Sequence, residues 1–172
     1  VEGFTASNAG TIPDLLAQDA FRTAFACLPA SYAGDRSVRL RLHMASTLAG
    51  IAFSRSGLGL CHAMAHVLGG RFHIPHGRLN AILLPAVISG NAPAAQAKYA
   101  RLARAAGLGG SADTVALRNL KNGLIRLRKD LGLPQTLSQA GAPPAQVWAA
   151  TGEIVEAVLA DPCCKTNPVP VE

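Results

Sequence analysis

Residues 61–77 read CHAMAHVLGGRFHIPHG and hold His62, His66, His73 and His76, four of the chain's five histidines. His62 and His66 are four apart, which on a helix places two imidazoles on one face, one turn from each other. His76 follows after a turn, with Pro75 fixing the backbone before it and Gly77 permitting close approach behind it. Nitrogen donors on a helix and the loop behind it suit a divalent transition metal. On spacing alone the ligand set is His62, His66 and His76, with His73 at its margin. His43, isolated in RLRLHMAS, reads as a packing or capping residue.

Two other chemistries fail on the same stretch. A zinc-protease helix needs a glutamate inside HExxH as general base, and here Ala63, Met64 and Ala65 separate the histidines. Gly57 and Gly59 precede the helix, but the third glycine of a dinucleotide fingerprint would fall at His62 and no strand comes before it. Between Asp35 and Asp113 every charged side chain is Lys or Arg. A carboxylate serving the histidines therefore comes from a distant part of the fold or from outside this chain.

Helical elements must position this cluster. Apolar periodicity predicts helices over 14–28, over 37–54 with Asp35 as a plausible N-cap, and from Leu58 to the Gly69-Gly70 pair. It predicts two more over 80–89 and 93–106, a long amphipathic one over 114–132, a short turn at 136–141 and a last helix over 145–160. No strand pattern and no repeat appears. The fold class is all-α, and 172 residues suit one domain with a sizeable core. Alanine-rich, aromatic-poor composition agrees with close-packed helices. No apolar run spans a bilayer and VEGFTASNAG has no signal-peptide pattern.

The four cysteines, Cys27, Cys61, Cys163 and Cys164, form no CxxC pair, so neither a structural disulfide nor a zinc knuckle is expected; a reduced, cytoplasmic setting fits. The net charge is +6, yet the basic residues are scattered apart from Lys121, Arg126, Arg128 and Lys129. With no interleaved aromatics for base stacking, that cluster reads as a solvated helix face and nucleic acid is not an expected partner. No membrane partner is expected either.

The block GIAFSRSGLGLCHAMAHVLGGRFHIPHGRLNAILLPAVISGN, residues 50–91, resembles the signature of the iron-containing (group III) alcohol dehydrogenases. VEGFTA and DPCCKTNPVP resemble the family's segments at either end of the same region, so the resemblance covers nearly the whole chain. It implies the all-helical, bundle-like C-terminal domain of the dehydroquinate synthase-like fold over residues 1–172, without the N-terminal α/β domain that binds NAD or NADP. It implies a metal held by His62 and His76 together with an upstream DxxxH pair, which would lie before Val1. Fe2+ is the implied ion, with Zn2+ possible. His66 then becomes a catalytic histidine on the nicotinamide and substrate side and not a ligand. Phe53 and Cys163 line the substrate pocket by the same resemblance, each with a plain packing role as the alternative, and His73 is a surface or supporting residue. Cys164 and Val169 stand where the family has Thr and Arg.

Val1 enters directly into globular sequence and NPVPVE reads as the lead-in to a further helix, so a fragment is expected. The implied function is the C-terminal domain of an NAD(P)-linked dehydrogenase interconverting a small primary alcohol and its aldehyde. The parent enzyme is expected to be a homo-oligomer, and the isolated domain is expected to be inactive. Alternatives from other classes are a non-catalytic metal-binding helical module and a basic interaction domain.

Overall fold

The computed structural model describes residues 1–172 and contains helices only. A one-turn α1 (Glu2–Thr5) leads into α2 (Thr11–Tyr32) and α3 (Arg39–Ser56), which pack together as a hairpin. The histidine-bearing α4 (Leu60–Phe72) precedes α5 (His76–Ala105), then α6 (Asp113–Asp130). Short α7 (Leu137–Ala140), α8 (Pro144–Ala149) and α9 (Thr151–Ala160) follow, and a 3-10 turn at Pro162–Thr166 closes the chain. No helix is long and apolar enough to cross a membrane.

The 30-residue α5 is the spine. Its first half carries Leu79, Leu83 and Val87 into a core shared with Cys61, Ala65 and Leu68 of α4. Ile88 near its middle, with Tyr99 and Leu102 of its second half, enters a larger core with Phe4, Ala17, Ala52 and Leu120. Leu84 packs against both. Residues buried this completely contribute about 1.5–3 kcal/mol each when they are the size of Leu or Ile.

The continuity of α5 corrects the expectation of two helices over 80–89 and 93–106. Pro85 lacks an N–H, so the Ala81 carbonyl one turn back has no intrahelical partner. Buried Arg128 of α6 supplies one, its Nη1 donating to Ala81 at 2.9 Å and Ile82 at 3.1 Å. The same contact corrects the solvated-face reading of the basic cluster: burial lowers the Arg128 pKa, while Arg126 pairs with Asp130 at 3.7 Å.

Other boundaries moved for local reasons. Helix α4 runs through Gly69-Gly70 because Leu68 is buried against Ile74 and Leu79, and it stops at His73, whose φ of 53° is left-handed. His73 is thus an exposed turn residue that swings the chain toward His76. Helix α2 extends through Pro29 to Tyr32. Asp35 accepts from the Ser37 N–H at 2.8 Å, one turn ahead of α3, whose cap position is Val38. The expected last helix is broken at Ala150 (φ −99°, ψ 8°), just before the weak helix formers Thr151 and Gly152.

Candidate metal centre

The start of α4 is where distant parts of the chain meet. A helix leaves its first N–H groups without intrahelical partners and its N-terminus favours anions. Here Glu2, 4% exposed, turns its carboxylate onto that end. One oxygen accepts from the Cys61 N–H at 2.7 Å and the other from the His62 N–H at 3.1 Å. Asn167 Oδ1 accepts from the Leu60 N–H at 3.1 Å, and Asn167 exchanges paired amide hydrogen bonds with Asn91 of α5. A Cβ on Gly59 would lie 2.6 Å from the Glu2 carboxylate and 2.8 Å from Asn167 Oδ1, so only glycine admits both caps. Gly57, at φ 81°, lies under Thr166, whose hydroxyl donates to the Leu58 carbonyl at 2.9 Å.

This cap also sets the first imidazole. The second Glu2 oxygen bonds Nδ1 of His62. A carboxylate only accepts, so Nδ1 carries the proton and Nε2 keeps the lone pair. One turn on, His66 presents Nδ1 to Asp161 at 2.9 Å, which leaves its Nε2 as the lone-pair nitrogen too. Asp161 holds the 3-10 turn through the Cys163 N–H at 2.8 Å. Burial works to raise the Asp161 carboxyl, but the Cys163 N–H and the His66 ring more than offset it and hold it below its ordinary value.

His76 opens α5 behind Pro75, and its Nε2 takes a hydrogen bond from the Asn80 amide, one turn along, at 2.8 Å. Burial, then the neighbouring His62 and His66, lower its pKa and keep the ring neutral. Ring centroids lie 5.3 Å apart for His62 and His76, 5.1 Å for His66 and His76, and 6.4 Å for His62 and His66. Three imidazoles, each with a nitrogen lone pair turned from its carboxylate or opened by its turn, thus converge at one partly open face, a donor set that fits a divalent metal of the iron or zinc kind. Polar partners that fix the far side of a ligating ring are a usual part of such a site.

His66, Asp161 and Cys163 also bring a nitrogen, an oxygen and a sulfur within 4.8 Å of one another. Those donors are committed to each other, however. Burial and the Asp161 carboxylate push the Cys163 thiol up to about 12, so it stays protonated and is a poor ligand near neutral pH. All four cysteines are free.

Of the residues singled out from sequence, the structure gathers His62, His66, His76 and Cys163 at this face. Phe53, 40% exposed on α3, shares a cavity with His62. His43 and His73 lie outside the cluster on exposed positions. Glu2, Asp161 and Asn167 went unread as site residues because they lie far from the histidines in sequence; Asn80 had a readable signal, its spacing of four from His76 on a helix.

Residues 1–172 match a family model described as the Fe-containing alcohol dehydrogenase family, C-terminal. The chain is 42% identical to the 1-propanol dehydrogenase PduQ of Citrobacter freundii, covering 98% of this chain and 47% of that protein. It is 36% identical to an NADPH-dependent butanol dehydrogenase of Clostridium saccharobutylicum, covering 98% of this chain and 43% of the relative. A solved 1,3-propanediol oxidoreductase superposes with a TM-score of 0.91 at 32% identity, over 98% of this chain and 44% of its own. The chain spans about half the length of the curated relatives it matches. It belongs to the iron-containing alcohol dehydrogenase family, and its residues correspond to that family's all-helical C-terminal part.

Proposed function

We propose that this chain is the metal-holding half of an NAD(P)-linked alcohol dehydrogenase that interconverts a small primary alcohol and its aldehyde. The observation that carries the reading is the convergence of three imidazoles whose lone pairs are set by Glu2, Asp161 and Asn80. His62 and His76 are the metal ligands contributed here, and His76 gives up its Asn80 hydrogen bond to serve. Two ligands leave room for an upstream aspartate and histidine, as the family resemblance implies. Fe2+ is the favoured ion and Zn2+ an acceptable one for such donors. A dinucleotide-binding α/β half, for which these residues contain no strands, works beside this domain. The four free cysteines suit a reduced, cytoplasmic setting.

When bound, the metal supplies Lewis acidity that lowers the pKa of an alcohol hydroxyl. The chain's own residues do the rest. Glu2 holds the His62 ring in register through Nδ1. His66 faces the same opening and is itself 46% exposed. Its Nε2 accepts the hydroxyl proton while Asp161 stabilises the resulting imidazolium through Nδ1, and the proton then leaves to solvent. A nicotinamide bound by the other half would supply the hydride acceptor.

The test uses the holoenzyme, this chain joined to its dinucleotide-binding half. His62→Ala and His76→Ala should each lose the metal, read by elemental mass spectrometry, with at least about 100-fold lower turnover. His66→Ala should keep the metal and lose about 100-fold in kcat at neutral pH. A His66→Ala enzyme with an unchanged rate and pH profile would remove the relay role, and metal retention in both ligand variants would remove the assignment.

A further inference from the structure

A second cavity, of about 200 Å3, opens between the end of α2, the first half of α5 and the C-terminal half of α6. Six leucines line it: Leu28, Leu84, Leu124, Leu127, Leu131 and Leu133. Leu124, Leu127 and Leu131 recur at three and four, on one face toward the end of α6. The charged group in this lining is Arg128. Asn80, whose amide bonds His76, also borders it, so the cavity backs onto the candidate metal centre without containing a histidine.

Arg128 is 8% exposed and takes part in none of the chain's ion pairs. A guanidinium carries five N–H donors. Nη1 donates to the Ala81 and Ile82 carbonyls, and Nε donates to Gln135 Oε1 at 3.1 Å. Both Nη2 hydrogens are left without an acceptor in the protein. Every fully enclosed polar side-chain atom has a partner, so Nη2 is reachable from outside the fold. Serving the carbonyl that Pro85 orphans accounts for Nη1. It accounts neither for the free Nη2 nor for a full positive charge set among leucines without an anion, which is costly to keep.

We propose that this cavity binds a short-chain monocarboxylate, its carboxylate on Nη2 of Arg128 and its alkyl tail among the leucines. The site is independent of the dehydrogenase reading. A carboxylate on a guanidinium forms a charge-assisted hydrogen bond, stronger than a neutral one. A single negative charge matches the single cation, whereas a phosphate dianion would find too few donors for its oxygens. At roughly 30 Å3 for each water-sized group, the space takes about six or seven heavy atoms, the size of butyrate or pentanoate.

Leucine methyl spectra of the full-length protein read the site directly. Pentanoate should shift the Leu124, Leu127 and Leu131 methyls with a Kd of about 1 mM or tighter. Leu68 and Leu102, buried elsewhere, should not move. Butyrate should bind about fourfold more weakly, one methylene short, and octanoate should gain nothing over pentanoate. Pentanamide, the same shape without the charge, should bind at least about tenfold more weakly. Arg128→Met should reduce pentanoate to the level of pentanamide. Because that variant also strips a donor from α5, Leu133→Trp serves beside it: half-buried past the end of α6, it fills the space and keeps the guanidinium. It should weaken pentanoate at least about tenfold, and it alone decides if Arg128→Met fails to fold. Three results each overturn the proposal: no saturable shift at the three leucines, pentanamide binding as tightly as pentanoate, or undiminished binding in Leu133→Trp.

Discussion

Two histidine–carboxylate couples sit one helical turn apart and are built for different ends. The His62–Glu2 couple is enclosed: the carboxylate is 3% exposed and also caps two backbone N–H groups of α4. The His66–Asp161 couple is open, with the imidazole 46% exposed and its carboxylate resting on a short 3-10 turn. The pairing chemistry is the same. What differs is how many other groups depend on the carboxylate and how freely the ring meets water. A ring that must hold a ligand in place gains from the first arrangement; a ring that must take up and release protons gains from the second.

The comparison breaks most visibly at Glu2. Glu2→Ala removes the acceptor for two N–H groups at a buried helix end and for the His62 ring, each left without its partner. The expected cost is about 2–4 kcal/mol, measured by denaturant unfolding. Metal affinity of the holoenzyme should fall about 10–100-fold as His62 loses its fixed tautomer. Asp161→Ala should do neither to a comparable degree; equal losses from both would mean that the two couples are not functionally distinct.

Gly59→Ala attacks the enclosed couple without removing any of its polar atoms. The new methyl would sit 2.6 Å from the Glu2 carboxylate, buried on both sides, so Glu2 or Asn167 must shift. Overpacking of this kind costs about 1–3 kcal/mol. Because the strain is shared between the Glu2 carboxylate and Asn167 Oδ1, 2.8 Å away, the loss should shrink without vanishing in a Glu2→Ala background. A double-mutant cycle reads that coupling directly, and additive losses would show that Gly59 matters for some other reason.

How far these couples could be read from sequence follows from the range of the forces that make them. Helix periodicity is local, and the long helices appear where Leu, Ala and Val recur at three and four. The prolines at 85 and 93 look like breaks because a proline's own backbone is all that a local reading sees; Arg128, reaching Ala81 from another helix, is invisible to it. The histidines were legible as a cluster because three of them sit within two adjacent elements. Their carboxylates were not, since Glu2 and Asp161 are 60 and 95 residues away from the rings they hold. The acid-free zone around the histidines did show that any carboxylate had to arrive from far off, and the two found here come from the two ends of the chain. The segments VEGFTA and DPCCKTNPVP, read for their resemblance alone, owe their form to that closure: Glu2, Asp161, Thr166 and Asn167 all bond the α4 region.

The smallest expected effect belongs to the open couple and is seen in pH dependence. The Asp161 carboxyl is held below its ordinary value in the fold, by the Cys163 N–H and the His66 ring working against burial. A carboxyl so depressed adds stability above its unfolded value of about 3.9, and that stability is lost as pH falls through the lower folded value. Asp161→Asn deletes the titration. The variant should lose less than about 1 kcal/mol at neutral pH, as expected for an ion pair open to solvent on one side. The difference from the parent chain should then shrink as pH is lowered from about 5 toward 3. Thermal unfolding across that range measures it. Glu2→Gln, run beside it at neutral pH, should cost more, because an amide's lone oxygen cannot serve two N–H groups and a ring at once. If instead Asp161→Asn cost more than Glu2→Gln at neutral pH, the enclosed and open couples would have exchanged roles.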